Sequence, residues 1–307
     1  MSDGKKYGAC VIGLGAMGMG VAQSCVNAGL ATYGVDVAES ARERLSAFGA
    51  AGVGADAMAF ADKLDAIMLL VVNAQQERQA LLEGPCLTDA LKPGTVVLLS
   101  ATVSPEAAQS LGAELERRGL LVLDAPVSGG SVKAAQGDIT VMASGREEAF
   151  AKAKPLLDAV AGKVYNVGAE LGRGTTVKII HQLLAGVHIA AAAEAMGLAS
   201  RAGIPLEVMY DVVTHAAGNS WMFENRMKRF IEGNREPFSK IDIFVKDLGL
   251  VAETGRSLKF PLPLATTAHG LFTNVSNAGF GNDDDSLLIK AYAGIEIPGE
   301  EPSPGTE

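Results

Sequence analysis

The chain has 307 residues, 48% of them hydrophobic and 20% charged, a globular composition long enough for two domains with cores of their own. Its formal net charge is −9, and it carries no basic run or basic-aromatic stripe, which argues against a nucleic-acid partner. Cys10, Cys25 and Cys86 lack the spacing of a disulfide framework or a zinc site and fit the reduced thiols of a cytoplasmic protein.

Met1 to Lys6 is polar and lacks the apolar core of a signal peptide. Tyr7 to Ile12 is a short apolar run, a buried-strand signal. It leads into Gly13-Leu14-Gly15-Ala16-Met17-Gly18, then a helical pattern through Ala28 and a second strand, Ala31 to Val35, ending in Asp36. Gly13 permits the tight turn, Gly15 lets backbone approach a pyrophosphate, and Gly18 lets helix pack on strand. The helix N-terminus offers unpaired N–H groups to phosphates. Strand, turn, helix and acid in one βαβ unit predict a dinucleotide site made by Gly13, Leu14, Gly15, Ala16, Met17, Gly18 and Asp36. A glycine-rich turn of another α/β fold is the alternative. Asp36 can hold the adenosine ribose hydroxyls and repels a 2′-phosphate, so the expected cofactor is NAD, not NADP.

The alternation continues with strands over Ala66 to Val72, Thr95 to Leu99, Leu120 to Leu123, Ile139 to Ala143 and Val164 to Val167. In an open parallel sheet the ligand lies beyond the carboxyl ends of the strands. Asn73 and Thr102 are therefore candidates for the nicotinamide ribose, with ordinary turn and cap roles as the commoner alternative. Asp124-Ala125-Pro126-Val127-Ser128-Gly129-Gly130 follows another strand. Ser128, Gly129 and Gly130 make a backbone-donor nest suited to a carboxylate, unless the glycines serve only the turn.

Gly172 to Ala202 has no proline and is apolar almost all the way round, which predicts one long buried helix. Lys178, in its first turns, opposes the helix dipole. His181 and Gln182 share its side of the helix. Everything after is helical: Pro205 to His215, Trp221 to Ile231, Lys240 to Ser257, Pro261 to Asn277, and a last short helix near Leu287 to Ala293. Asp283, Asp284 and Asp285 read as a solvated start to that helix. Asn219, Ser220 and the pair Lys246-Asp247 are polar candidates facing the nucleotide domain. The four histidines lack ligand spacing, so no metal is expected.

Four stretches together resemble the β-hydroxyacid dehydrogenase family: Gly13 to Gly18 after a strand, Asp124 to Gly130, Gly172 to Gln182 with Lys178, and Lys246-Asp247. The resemblance implies an α/β Rossmann-type parallel-sheet domain (residues 1–168), an interdomain helix (169–202), an all-helical domain for substrate and oligomerisation (203–296), and a flexible tail (297–307). It implies that Lys178 is the acid/base, that Ser128, Gly129 and Gly130 hold a substrate carboxylate, and that Thr102 and Lys246 contact NAD. It also implies a homodimer or homotetramer acting on a small hydroxy acid, with no membrane partner.

Where that family usually carries two asparagines after Lys-x-x, this chain has His181 and Gln182. With Thr214 to Trp221, this departure resembles the L-threonate dehydrogenase subgroup, which oxidises four-carbon sugar acids at the 2-hydroxyl. Gln182 is then a substrate-binding residue. The alternatives are a tartronate semialdehyde or 3-hydroxyisobutyrate type enzyme, or a non-catalytic nucleotide-binding scaffold.

Overall fold

The run Gly8–Ile12 (β1) is buried at every position, as an apolar strand covered on both faces must be. The structure, a computed structural model, describes residues 6–84, 86–295 and 297–298. The chain divides into two compact units, Met1–Lys178 and Ile179–Glu307.

The first unit continues with α1 (Ala16–Asn27), β2 (Ala31–Val35), α2 (Glu39–Phe48), β3 (Gly52–Gly54), β4 (Ala66–Leu69), α3 (Ala74–Leu82), α4 (Leu87–Ala90), β5 (Val96–Leu99), α5 (Pro105–Arg117) and β6 (Leu121–Asp124). Then come β7 (Val127–Ser128), α6 (Gly130–Ala135), β8 (Ile139–Gly145), α7 (Glu147–Val160) and β9 (Ala161–Asn166). The strands form one sheet in the order β3-β2-β1-β4-β5-β6-β8-β7, with β9 beside β8. From β3 to β6 every pairing is parallel. This is the doubly wound order, in which the chain reverses direction across the sheet beside β1 and leaves a crevice at the strand ends. β8 then runs antiparallel to β6, placing Ser144 opposite Asp124. One core packs on each face of this sheet, Val11, Met68 and Leu98 on one and Cys10, Ile67 and Val97 on the other.

The long helix α8 (Arg173–Arg201) starts in the first unit and runs into the second. There it is followed by α9 (Leu206–Thr214), α10 (Trp221–Ile231), α11 (Ile241–Ser257) and α12 (Pro263–Val275), then a short 3-10 helix, Asp285–Ala291. The core of this unit gathers Ile189, Met196, Phe230, Phe244, Leu248 and Phe272, with Phe244 and Phe272 stacked at 5.1 Å.

Two expectations are corrected here. The long helix is not buried all round: Thr175, Lys178, Ile179, Gln182, Ala185, Ile189, Ala193 and Met196 form the buried stripe, while Ile180, Leu184 and Leu198 are exposed. Its length and composition would suit a membrane span, yet half of its most apolar window is buried within the protein. Two of the three aspartates are not solvated, and only Asp283 keeps partial exposure. Asp284 and Asp285 are fully buried. Arg226 forks onto Asp285 at 2.6 and 3.0 Å, and Arg229 reaches Asp284 at 2.9 Å. Two charges can be buried there because each is paired. Of the proposed tail, residues 299–307 lie outside the described residues, as does most of the Met1 to Lys6 stretch.

Candidate active site

The glycine turn has three different reasons for its three glycines. Gly13 has φ +93° and its N–H donates to the Val35 carbonyl at 2.8 Å. A Cβ on Gly18 would sit 1.7 Å from the Gly13 oxygen, so only glycine lets α1 press on the turn. A Cβ on Gly15 would meet nothing within 4 Å, and Gly15 caps α1 without a side-chain bond. Open space at an uncapped helix N-terminus fits the pyrophosphate of NAD. The Leu14 side chain is core, so what this residue can offer a cofactor is backbone. Asp36 ends β2 with Oδ2 accepting from the Leu14 N–H at 2.7 Å.

Asn73 caps α3, its Oδ1 accepting from the Gln76 N–H at 2.9 Å, while Gln76 Oε1 accepts from the Val72 N–H at 2.8 Å. The ordinary cap role is therefore present at Asn73. Thr102 lies half-buried in the loop after β5. That loop is held by Glu77, a buried acid whose Oε1 accepts from the Ala101 N–H at 3.2 Å. Nothing local in the sequence marks Glu77, because its partner is 24 residues away.

Ser128 sits at the end of β7, paired with Thr140 of β8. Gly129 and Gly130 have φ +142° and +78°, values closed to most side chains. They turn the chain into α6, which lies against α1. A Cβ on Gly20 would come 2.6 Å from the Ala135 nitrogen, and Ser24 donates to the Ala134 carbonyl at 2.8 Å. One helix thus carries the cofactor turn and supports the serine–glycine loop.

The start of α8 is wedged against the sheet end. A Cβ on Gly174 would lie 2.5 Å from the carbonyl oxygens of both Asp124 and Met142. The buried Asp124 carboxylate receives the N–H groups of Gly172 and Thr175, each at 2.9 Å, through Oδ2. The Thr175 hydroxyl donates to Oδ1 at 2.6 Å, and the Ser144 hydroxyl to Oδ2 at 3.2 Å. Burial pushes this carboxyl above its ordinary value, and those hydrogen bonds pull it partly back. Three residues on, Lys178 is 6% exposed. An aspartate at the end of a buried strand is the sequence signal for this anchor, and its partners Ser144, Gly172 and Thr175 lie 20, 48 and 51 residues away.

One further turn along α8, Gln182 is buried and its Nε2 donates to Asp247 Oδ2 at 2.5 Å. Lys246 Nζ donates to the other oxygen at 2.6 Å. Asp247 therefore joins two residues expected on different ligands. His181 is exposed, unlike Lys178 and Gln182. Ser220 caps α10, and the exposed Asn219 contacts Glu224 at 3.4 Å, so both have local structural roles. Among the described residues no group of three or more His, Cys, Asp or Glu is placed to hold a metal ion.

Comparison with known proteins agrees with the fold. Residues 9–168 match the family profile described as the NAD binding domain of 6-phosphogluconate dehydrogenase. Residues 172–292 match that described as NAD-binding of NADP-dependent 3-hydroxyisobutyrate dehydrogenase. The chain belongs to the β-hydroxyacid dehydrogenase family. Its N-terminal unit is an NAD-binding Rossmann domain, and the protein is an NAD-binding hydroxyacid dehydrogenase. It is 60% identical over 304 residues to the L-threonate dehydrogenase of Pectobacterium atrosepticum, covering 99% of this chain and 100% of the relative. It is 58% identical to the L-threonate dehydrogenase of Escherichia coli K12, covering 97% and 99%. A crystal structure described as 3-hydroxyisobutyrate dehydrogenase from Salmonella typhimurium superposes with a TM-score of 0.90 at 59% identity, covering 93% of this chain and 100% of that one. At similar identity, these names give two different substrates.

Proposed function

We propose that this enzyme oxidises L-threonate at the 2-hydroxyl to the 2-oxo acid, with NAD as oxidant. The observation that carries the reading is the full-length identity of 57–60% to L-threonate dehydrogenases from several bacteria. The replacement of the family's usual asparagine by the buried Gln182 adds to it, because a longer amide suits a polyhydroxylated chain. Bound NAD supplies the hydride acceptor. Lys178 takes the proton of the 2-hydroxyl, so that two electrons and one proton leave as hydride and one proton passes to the amine. Ser128 with the backbone at Gly129 and Gly130 orients the carboxylate. On this reading Gln182 binds the hydroxyls, and Asn73, Thr102 and Lys246 bind the cofactor. Retention of both Lys178 and Ser128 argues against a non-catalytic scaffold.

Turnover of NAD with a panel of hydroxy acids is the test. L-threonate should give the highest kcat/KM, ahead of its C3 epimer, 3-hydroxyisobutyrate and L-serine. A higher value for 3-hydroxyisobutyrate would replace this reading with the one named by the Salmonella structure, and no turnover of any acid would favour the scaffold.

The finer organisation belongs to the same proposal. We place the NAD domain at 1–168, the interdomain helix at 169–202, the helical domain at 203–296 and a tail beyond. The three free cysteines and NAD use suit a cytoplasmic enzyme, which fractionation would test. The exposed apolar residues Ile180, Leu184 and Leu198 of α8, Val208 and Val212 of α9, and Trp221 suit a homodimer or homotetramer. A light-scattering mass equal to the 31.7 kDa chain would exclude it.

A further inference from the structure

A carboxylate buried with no cation beside it is an expensive group to keep in a fold. Asp124 is such a group: among the described residues it is fully buried, and its partners are hydroxyls and backbone N–H groups. Leu99, its neighbour across the sheet, and Val122, two residues earlier on the same face, belong to an apolar core, so packing alone would be served by an apolar side chain. The partners explain the charge. All but Ser144 belong to the start of α8, and Ser144 itself accepts from the Gly174 N–H at 3.1 Å.

We propose that Asp124, with Thr175 and Ser144, is the positioning device for Lys178. The carboxylate grips Gly172, just before the helix, and Thr175, in its first turn. Two grips on one strand end fix both the height of α8 and its rotation about its own axis. The helix cannot back away without losing these bonds. It can come this close only because Gly174 carries no Cβ, its ideal position lying 2.5 Å from two carbonyl oxygens and 3.1 Å from Asp124 Oδ2. Lys178 follows Thr175 by three residues, less than one turn, so little flexible chain intervenes. A carboxylate at a helix N-terminus is also stabilised by the helix dipole, which favours this site over others for the same acid. Proton transfer demands heavy-atom distances of about 2.6–3.2 Å, so a small displacement of the helix start matters far more to the amine than to substrate or NAD affinity.

This inference rests on the reading of Lys178 as the base. The test uses the full-length enzyme with NAD and its best hydroxy acid, comparing Thr175→Val, Thr175→Ser, Asp124→Asn and Lys178→Ala. Thr175→Val keeps the shape and deletes the hydroxyl. Asp124→Asn keeps the shape and deletes the charge. Both should lower kcat by roughly 10- to 100-fold, with KM for the acid and NAD affinity within about twofold of wild type. The primary isotope effect on kcat with substrate deuterated at C2 should rise as the chemical step becomes limiting. Thr175→Ser should restore kcat to within about twofold. If Lys178→Ala is inactive while Thr175→Val and Asp124→Asn retain wild-type kcat, the positioning role is wrong. A parallel fall in kcat, NAD affinity and melting temperature, without rescue by serine, would equally overturn it in favour of a purely structural role. An active Lys178→Ala instead sinks the reading of the base itself. If Asp124→Asn does not fold, the threonine pair decides.

Discussion

The Asp36 carboxylate accepts a 2.7 Å hydrogen bond from the backbone N–H of Leu14, inside the glycine turn. Its other oxygen accepts from the Ala38 N–H at 2.8 Å. The acid is thus pinned at the end of β2, and on the proposed reading its charge would face the adenosine ribose. Arg42 does not offset that charge with a free fork, because its Nη1 donates to the carbonyls of Asp36 and Val37 at 2.8 and 2.9 Å. The enzyme should prefer NAD strongly. Asp36→Ala should cost about 1.5–3 kcal/mol of NAD binding, roughly 10- to 150-fold, and narrow the gap to NADP. Equal turnover of the two cofactors by wild type would contradict this assignment.

Ser128 stands where two left-handed glycines open the chain. If its hydroxyl donates to the substrate carboxylate, Ser128→Ala should lower kcat/KM by about 1.5–3 kcal/mol. NAD affinity should not change. Steady-state kinetics identical to wild type would remove Ser128 from the site.

What the sequence revealed and what it hid have a common physical cause. The β1-turn-α1-β2 unit was legible because its signals are local: a glycine at each tight position and an acid one strand later. The helices Trp221–Ile231 and Ile241–Ser257 were legible because apolar period and end signals coincide. Long-range pairs left no such trace. Asp284 reads as solvent-facing until Arg229 arrives from 55 residues away, and Asp124 meets Thr175 across 51 residues. The exposed side of α8 was hidden for a different reason. With alanine, leucine and isoleucine on every face, composition carries no information about which face is covered.

The cysteines should differ sharply in reactivity. Cys10 and Cys25 are fully buried, and burial pushes both thiols up, Cys25 to about 12. Cys86 is half-exposed. Since the thiolate is the reactive form, iodoacetamide at mildly alkaline pH should modify Cys86 alone in the native enzyme. Mass spectrometry should find all three labelled only after denaturation. Native labelling at Cys10 would refute the burial argument.

The anchor also has a signature in stability. Asp124 has a folded-state pKa raised above its ordinary 3.8 by burial. A group raised on folding contributes stability that is fully present below the unfolded value and is lost as pH rises through the folded one. Asparagine at this position does not titrate. The melting-temperature advantage of wild type over Asp124→Asn should therefore be larger near pH 4.5 than near pH 7.5 (about those values). An advantage that grows with pH would show that the hydrogen bonds outweigh burial at this carboxyl.

Lys178 carries the heaviest demand. Oxidising an alcohol at neutral pH needs an acceptor for its proton within about 3 Å. A free lysine titrates near ~10.4, whereas a base works best poised near ~7–8, a difference of about 4 kcal/mol. The N-terminus of α8 would contribute only about 0.3–1 kcal/mol. Asp124 sits at that same helix end and offsets even this. Desolvation is the larger lever, and Lys178 at 6% exposure has it. His181 is exposed and lacks it. Lys178→Ala should therefore leave NAD affinity nearly intact and lower kcat by at least about 10²-fold. Lys178→Arg should be almost as poor, since arginine does not give up its proton. The wild-type kcat should rise with pH along a limb that Lys178→Ala abolishes. An alanine variant with near wild-type turnover and the same pH profile would pass the proton to another group, with His181 the nearest on the helix.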